Sequence, residues 1–155
     1  RIGYAAGPEN LIRGMAKVQS QSTSNPSSIS QAASVAALNG DHGFLAERNA
    51  TFKHRRDLIC GLLNQAPGLR CPTPEGAFYV YPSCAGVIGK RLPDGSRIES
   101  SEDFARYLLA GVGVAVVHGS AFGLDPYFRI SYATATDALE DAGRRIVRAC
   151  EELRD

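Results

Sequence analysis

At 155 residues the chain is long enough to bury about 70% of the surface its unfolded form exposes, and so to build a true core. With 17 lysines and arginines against 16 acidic residues the net charge is +1 and both signs are spread along the chain, which favours neither nucleic acid nor an anionic membrane surface as a partner. No apolar run approaches the roughly 20 residues that span a bilayer, and no charged leader followed by a hydrophobic stretch opens the chain, so neither a membrane segment nor a targeting segment is expected.

In chain order, Arg1-Ile2-Gly3-Tyr4-Ala5 reads as the end of a strand already inside a protein, and with no initiator methionine the chain is expected to be a fragment. After the Gly7-Pro8 turn signal, Glu9 to Ser20 reads as a helix with Leu11, Ile12, Met15 and Val18 on one side. The polar run Gln19 to Ser28 interrupts it at Asn25-Pro26. Ser27 or Ser28 is placed to cap a second helix through Ala37, whose alanines imply close packing. Asp41 is an N-cap candidate for a long helix from His42 to Asn64, suited to bridge two domains and ended by Pro67-Gly68.

Between Leu69 and Cys84 two strand candidates flank Pro72, Pro74 and Gly76; Phe78-Tyr79-Val80-Tyr81 has the aromatic and β-branched content of the second. Gly86 to Ser100 reads as an exposed excursion. Ser100 or Ser101 caps a helix through Ala110 that Gly111 or Gly113 ends, and Val114 to Val117 reads as a buried strand. The last helix starts at a Thr136 or Asp137 cap and turns Leu139, Ala142, Ile146, Cys150 and Leu153 inward.

Cys60, Cys71, Cys84 and Cys150 lack the paired short spacing of a zinc or redox motif and read as buried, reduced thiols of a cytoplasmic protein, with no metal site expected. Asn49-Ala50-Thr51 matches a glycosylation sequon but falls inside a helix, where it is incidental.

Phe128-Arg129-Ile130-Ser131-Tyr132-Ala133 places one guanidinium in a short apolar, strand-like run after a glycine-rich loop. An arginine there needs an anion. Its fork of donors matches a carboxylate two bonds at a time, so it suits either a substrate carboxylate or a structural salt bridge with a protein carboxylate.

Arg1-Ile2-Gly3-Tyr4, Ser22-Thr23-Ser24-Asn25-Pro26, Pro74-Glu75-Gly76-Ala77-Phe78-Tyr79, Gly119-Ser120-Ala121-Phe122-Gly123 and the arginine strand occur in an order that resembles the C-terminal part of a class I pyridoxal-phosphate-dependent aminotransferase of the aspartate aminotransferase type. The resemblance covers essentially the whole chain. It implies an α/β fold with an α+β small domain: residues 38–155 as the C-terminal small domain of a fold-type I transferase, and residues 1–37 as the remnant of the large cofactor-binding domain. It also implies a homodimer that exchanges an amino group between an amino acid (aspartate or another acidic or aromatic one) and a 2-oxo acid.

In such enzymes a lysine eight positions before the Arg-Ile-Gly arginine forms the Schiff base with pyridoxal 5'-phosphate, and the arginine binds the cofactor phosphate. The resemblance thus gives Arg1 the phosphate, puts the lysine's position before residue 1, and implies that the fragment alone is inactive. Lys17, Lys53 and Lys90 do not match that lysine. Arg129 takes the substrate α-carboxylate. Phe78 lines the pocket or is a core residue of a strand. Ser24 and Asn25 belong to a loop near the active site across the dimer interface, or are simply a helix break and cap. His118 stands where many relatives have proline, which leaves the shape of that loop open and gives no acid–base role. Two other readings share these residues: an aminotransferase-like ligand-sensing domain of a bacterial transcription regulator, and a lyase or synthase of the same fold.

Overall fold

The computed structural model describes residues 2–155. The chain divides into two compact units, the first running to Leu45 and the second spanning Ala46–Asp155.

The first unit holds α1 (Glu9–Ser22) and α2 (Ser28–Asn39). Of the strand end expected over residues 1–5, residues 2–5 form no strand and Arg1 lies outside the described residues. A strand needs a neighbour to take its backbone groups, and among the described residues none pairs with this segment. α1 starts after Pro8 and ends where Ser24 adopts φ 63°, its N–H closing on the Gln19 carbonyl at 2.9 Å. Asn25-Pro26 then bars continuation. α2 begins at Ser28 as its sequence suggests, yet Ser27 makes no side-chain cap bond; instead the Gln31 amide donates back to the Pro26 carbonyl at 2.9 Å. Neither helix has a buried residue, so the alanines of α2 are not closely packed. Leu11, Met15 and Val18 of α1 and Ile29, Val35 and Leu38 of α2 are all exposed.

α3 (Phe44–Leu63) starts two residues later than expected because the Asp41 carboxylate is spent on the Gly43 N–H at 2.9 Å, ahead of the helix. Only its C-terminal part is buried, through Ile59, Cys60 and Leu63. Beyond Pro67 the chain reverses at Gly68 (φ 86°), whose backbone lies against that of Gly86; a Cβ on either would come within 2.8 Å of the other's backbone.

In the second unit β1 (Tyr79–Val80), β2 (Val117–His118) and β3 (Phe128–Ser131) form an antiparallel sheet in the order β1-β3-β2. Tyr79 faces Ser131 and Val80 faces Ile130, and an isolated bridge between Ser83 and Tyr127 keeps the same register. The ladder lapses between them at Pro82, which has no N–H to give, although its carbonyl still accepts from Phe128 at 3.1 Å. The first strand candidate, from Leu69, shrinks to a single bridge of Arg70 with Ser83.

α4 (Ser101–Val112) is capped as its sequence suggests: the Ser100 hydroxyl accepts from the Asp103 N–H at 3.2 Å, and Gly113 closes the C-terminus at φ 69°. That closure explains why the strand expected over residues 114–117 pairs only at Val117. The Val114 N–H bonds the Leu108 carbonyl at 3.0 Å and is lost to a ladder. α5 (Thr136–Glu151) has Ala135 at its N-cap position rather than Thr136 or Asp137, because the Thr136 hydroxyl accepts from Arg55 Nε at 3.1 Å. Leu139, Ile146 and Cys150 face inward from α5 as expected.

Residues 86–100 are exposed over most of their length, as expected, yet they are not a free excursion. The segment is folded back by bonds from Gly89 N–H to Ile98 O (2.7 Å) and from Leu92 N–H to Ser96 O (2.8 Å), and it is anchored by Val87 and Ile98, both fully buried. Two apolar anchors eleven residues apart were hidden among its glycines and charges. They join Ile59 and Leu63 of α3, Val80, Phe128 and Ile130 of the sheet, Phe104 and Leu108 of α4, and Leu139 and Ile146 of α5 in one apolar cluster. All four cysteines are free and buried within it, with the Cys60 and Cys71 sulfurs 3.7 Å apart.

Candidate functional site

The pleat of β3 sends Phe128 and Ile130 into the core, which leaves Arg129 on the opposite face, half-buried. The same register brings Tyr79 and Tyr81 onto that face, since Tyr79 lies opposite Ser131 and Tyr81 continues the pairing to Arg129. The Arg129 guanidinium carbon lies 5.3 Å from the centre of the Tyr79 ring and 4.5 Å from that of Phe122. Tyr81 stacks on Tyr127 at 5.7 Å, its ring edge-on to Phe122 at 6.2 Å. Among the described residues no carboxylate pairs with Arg129 and no acceptor takes its side-chain donors. The structural salt bridge is therefore absent there, and a guanidinium walled by aromatic rings still has its fork to give to an anion.

Phe122 comes from a 3-10 turn, Gly119–Phe122, ended by Gly123 in the left-handed region. The turn is pinned at its start: the Gly119 N–H donates to the Tyr127 carbonyl at 2.6 Å and to the Ser101 hydroxyl at 3.2 Å. The Tyr81 hydroxyl in turn donates to the Gly119 carbonyl at 3.3 Å. Burial holds the Tyr81 hydroxyl above its ordinary pKa, outweighing the opposite pull of Arg129, so it stays a donor. Ser101, wholly buried at the start of α4, also gives its N–H to the Asp125 carboxylate at 3.1 Å, which fastens the far side of the loop. His118, half-buried, sets its Nδ1 2.6 Å from the Ser120 hydroxyl, so the loop that departs from proline at His118 closes through a side-chain bond.

Phe78 is 52% exposed, which rules out the alternative that it is a core residue of a strand. It follows Ala77 at φ 65°, and the turn is held by Tyr132, whose N–H donates to the Phe78 carbonyl (2.8 Å) and whose hydroxyl donates to the Ala77 carbonyl (3.0 Å). Its ring meets Tyr79 edge-on at 5.5 Å, so Phe78 and Arg129 touch the same tyrosine. Ser24 and Asn25 lie in the first unit, exposed in the turn between α1 and α2. Arg1 falls outside the described residues.

Of the lysines, Lys53 pairs with Asp57 at 2.8 Å, Lys90 with Asp155 at 3.0 Å, and Lys17 is exposed on α1. The sequence reading missed Tyr79, Tyr81, Phe122 and Tyr127. The alternation in residues 78–81 carried the signal for the first two; Phe122 and Tyr127 required the fold of the loop. No helix of the described residues is long and apolar enough to cross a membrane.

The sequence model of the family described as aminotransferase class I and II matches residues 1–146. A probable aspartate/prephenate aminotransferase of Rhizobium leguminosarum bv. phaseoli is 60% identical over 150 residues, covering 97% of this chain and 38% of its own length. An aspartate aminotransferase of Rhizobium meliloti (strain 1021) is 60% identical over 153 residues, again covering 99% of this chain but 37% of its own. Among solved structures, the aspartate aminotransferase from Rhizobium meliloti superposes with a TM-score of 0.79 at 58% identity over 95% of this chain and 37% of that one. The alanine aminotransferase from Pyrococcus furiosus superposes with a TM-score of 0.73 at 28% identity over 92% of this chain and 35% of that one. The chain thus spans a little over a third of the length of the relatives it matches, with a mixed helix-and-sheet fold like theirs, and it belongs to the class I and II aminotransferase family.

Proposed function

We propose that the chain is the C-terminal part of a pyridoxal-phosphate-dependent aminotransferase, and that Arg129 binds the α-carboxylate of the amino acid and 2-oxo acid between which the amino group moves. One observation carries this: a half-buried guanidinium on the outer sheet face, walled by Tyr79 and Phe122, with no protein carboxylate to neutralise it among the described residues. A bidentate hold on the α-carboxylate orients the substrate's Cα–H bond, and such positioning is a large share of a catalyst's advantage. Phe78, exposed beside Tyr79, walls the substrate side. Ser24 and Asn25 reach the site of the partner subunit of a homodimer, on the resemblance alone.

Pyridoxal phosphate, when bound to the full-length protein, would supply an electron sink for the chemistry at the substrate's Cα. The described residues do not by themselves fit that cofactor: Lys53 and Lys90 are held in surface ion pairs and Lys17 lies on an exposed helix face. On the resemblance alone, Arg1 is assigned to the cofactor's phosphate and the lysine to a position before it. We assign residues 1–37 to the large domain and 38–155 to the small one. Residues 2–45 bury no side chain, as expected of a piece that packs on the rest of a larger domain. The names of the relatives favour aspartate as amino donor, and four free, buried cysteines support a place in the cytoplasm. The test is transamination by the full-length protein with added pyridoxal phosphate, from aspartate to 2-oxoglutarate and then across a donor panel. Turnover with an acidic donor is expected; no transfer from any amino acid refutes the reading.

A further inference from the structure

We propose that Phe122 is a positioning residue for the Arg129 guanidinium, held in place by the hydrogen bond between His118 and Ser120; this rests on the assignment of Arg129 to the substrate carboxylate. Among the described residues nothing polar fixes the plane of the Arg129 fork. The contacts that do constrain it are two rings, Phe122 at 4.5 Å and Tyr79 at 5.3 Å. Rings packed against the guanidinium carbon accept no hydrogen bond from its N–H groups in place of a ligand, so the paired donors that a carboxylate takes stay unspent. Stacking therefore restricts the arginine before the ligand arrives without competing with it, and a preorganised side chain binds more tightly because less freedom remains to be lost.

Phe122 is itself 50% exposed, so burial does not hold its ring. The turn does. Gly119 is fastened by its bonds to Tyr127, Ser101 and Tyr81, and a Cβ there would fall on the carbonyl oxygens of Leu124 and Tyr127. Gly123 ends the turn at φ 73°. Between these points the 2.6 Å contact of His118 Nδ1 with Ser120 Oγ is the side-chain bond that ties the turn's second residue back to β2, and Phe122 lies two residues further on. The edge of Tyr81 then sets the tilt of its ring.

The experiment titrates the full-length, cofactor-loaded protein with succinate, an unreactive dicarboxylate, by calorimetry, alongside melting temperatures. Phe122→Leu should weaken succinate about three- to fivefold, the size of a cation–π contact at a partly exposed site, while Phe122→Tyr retains wild-type affinity. Ser120→Ala should weaken succinate in the same direction, and melting temperature should not follow these changes. Phe122→Met covers the case in which leucine disturbs the turn and should behave as Phe122→Leu does. Wild-type affinity in both Leu and Met variants, or equal weakening in the tyrosine variant, overturns the positioning role. Arg129→Leu separates the two readings. Loss of succinate binding there with none in Phe122→Leu refutes only the role of Phe122, whereas succinate binding that survives Arg129→Leu refutes the carboxylate site and this inference with it.

Discussion

Replacing Arg129 by leucine separates a ligand-binding arginine from a structural one, and the structure sets both sides of the comparison. On the stability side the guanidinium has no ion pair to lose among the described residues; it gives up contacts with the Phe122 and Tyr79 rings at a half-buried site, about 1 kcal/mol, partly offset by placing leucine against the same rings. On the functional side a bidentate charged contact with the substrate is worth on the order of 3 kcal/mol, which at about 1.4 kcal/mol per decade is roughly a hundredfold loss in kcat/KM. The loss should appear in both a raised KM and a lowered kcat, with cofactor retention unchanged. The assay is steady-state transamination by the full-length protein, normalised to folded protein by circular dichroism, with Arg129→Lys as a control that keeps charge and loses the fork. A large drop in melting temperature with unchanged turnover per folded molecule would make Arg129 a structural residue.

Ile98→Ala should destabilise the protein by about 2–5 kcal/mol in urea unfolding, because Ile98 is fully buried despite its polar surroundings; a cost below about 1 kcal/mol would return residues 86–100 to the surface. Gly119→Ala should cost more than Gly143→Ala in thermal melts, on the order of 2 kcal/mol, since its Cβ meets backbone carbonyls whereas that of Gly143 meets the mobile end of Leu62. Ser100→Ala should lower stability by about 1 kcal/mol through loss of the cap on Asp103 N–H and of the hydroxyl's own bond to the Asp103 carboxylate, and Ser100→Thr, which keeps the hydroxyl, should restore it. Burial pushes the Cys84 and Cys150 thiols up to about 12 from an ordinary value of 9.0, so the folded state keeps protons that the unfolded chain releases. That stabilisation is complete below pH 9, falls by roughly 1.4 kcal/mol per pH unit per thiol above it, and is gone once pH passes the folded values; a urea midpoint unchanged between pH 8 and 10.5 would refute it.

Local chemistry determined the elements whose signals are complete within a few residues. Ser100 and Ser101, Gly111 and Gly113, and the three- and four-residue steps of Leu139, Ile146 and Cys150 bracket a helix start and stop and set a buried face without reference to the rest of the chain, while the fold chose Ser100 and Gly113. The apolar, strand-like run around Arg129 likewise marked one guanidinium in need of an anion, and the order of short motifs sufficed to name the family. What neighbours decide was not legible there. Residues 2–5 look like the end of a strand and do not form one, because a ladder needs a partner segment. Val114 leaves the sheet because a helix cap takes its N–H, and Thr136 fails to cap because Arg55, 81 residues away in sequence, takes its hydroxyl. The rings around Arg129 come from separated segments, Tyr79 and Tyr81 on one side and Phe122 and Tyr127 on the other, so no short window of sequence contains them. They meet because antiparallel pairing fixes which residues face one another across strands, and that register is a property of the folded sheet alone.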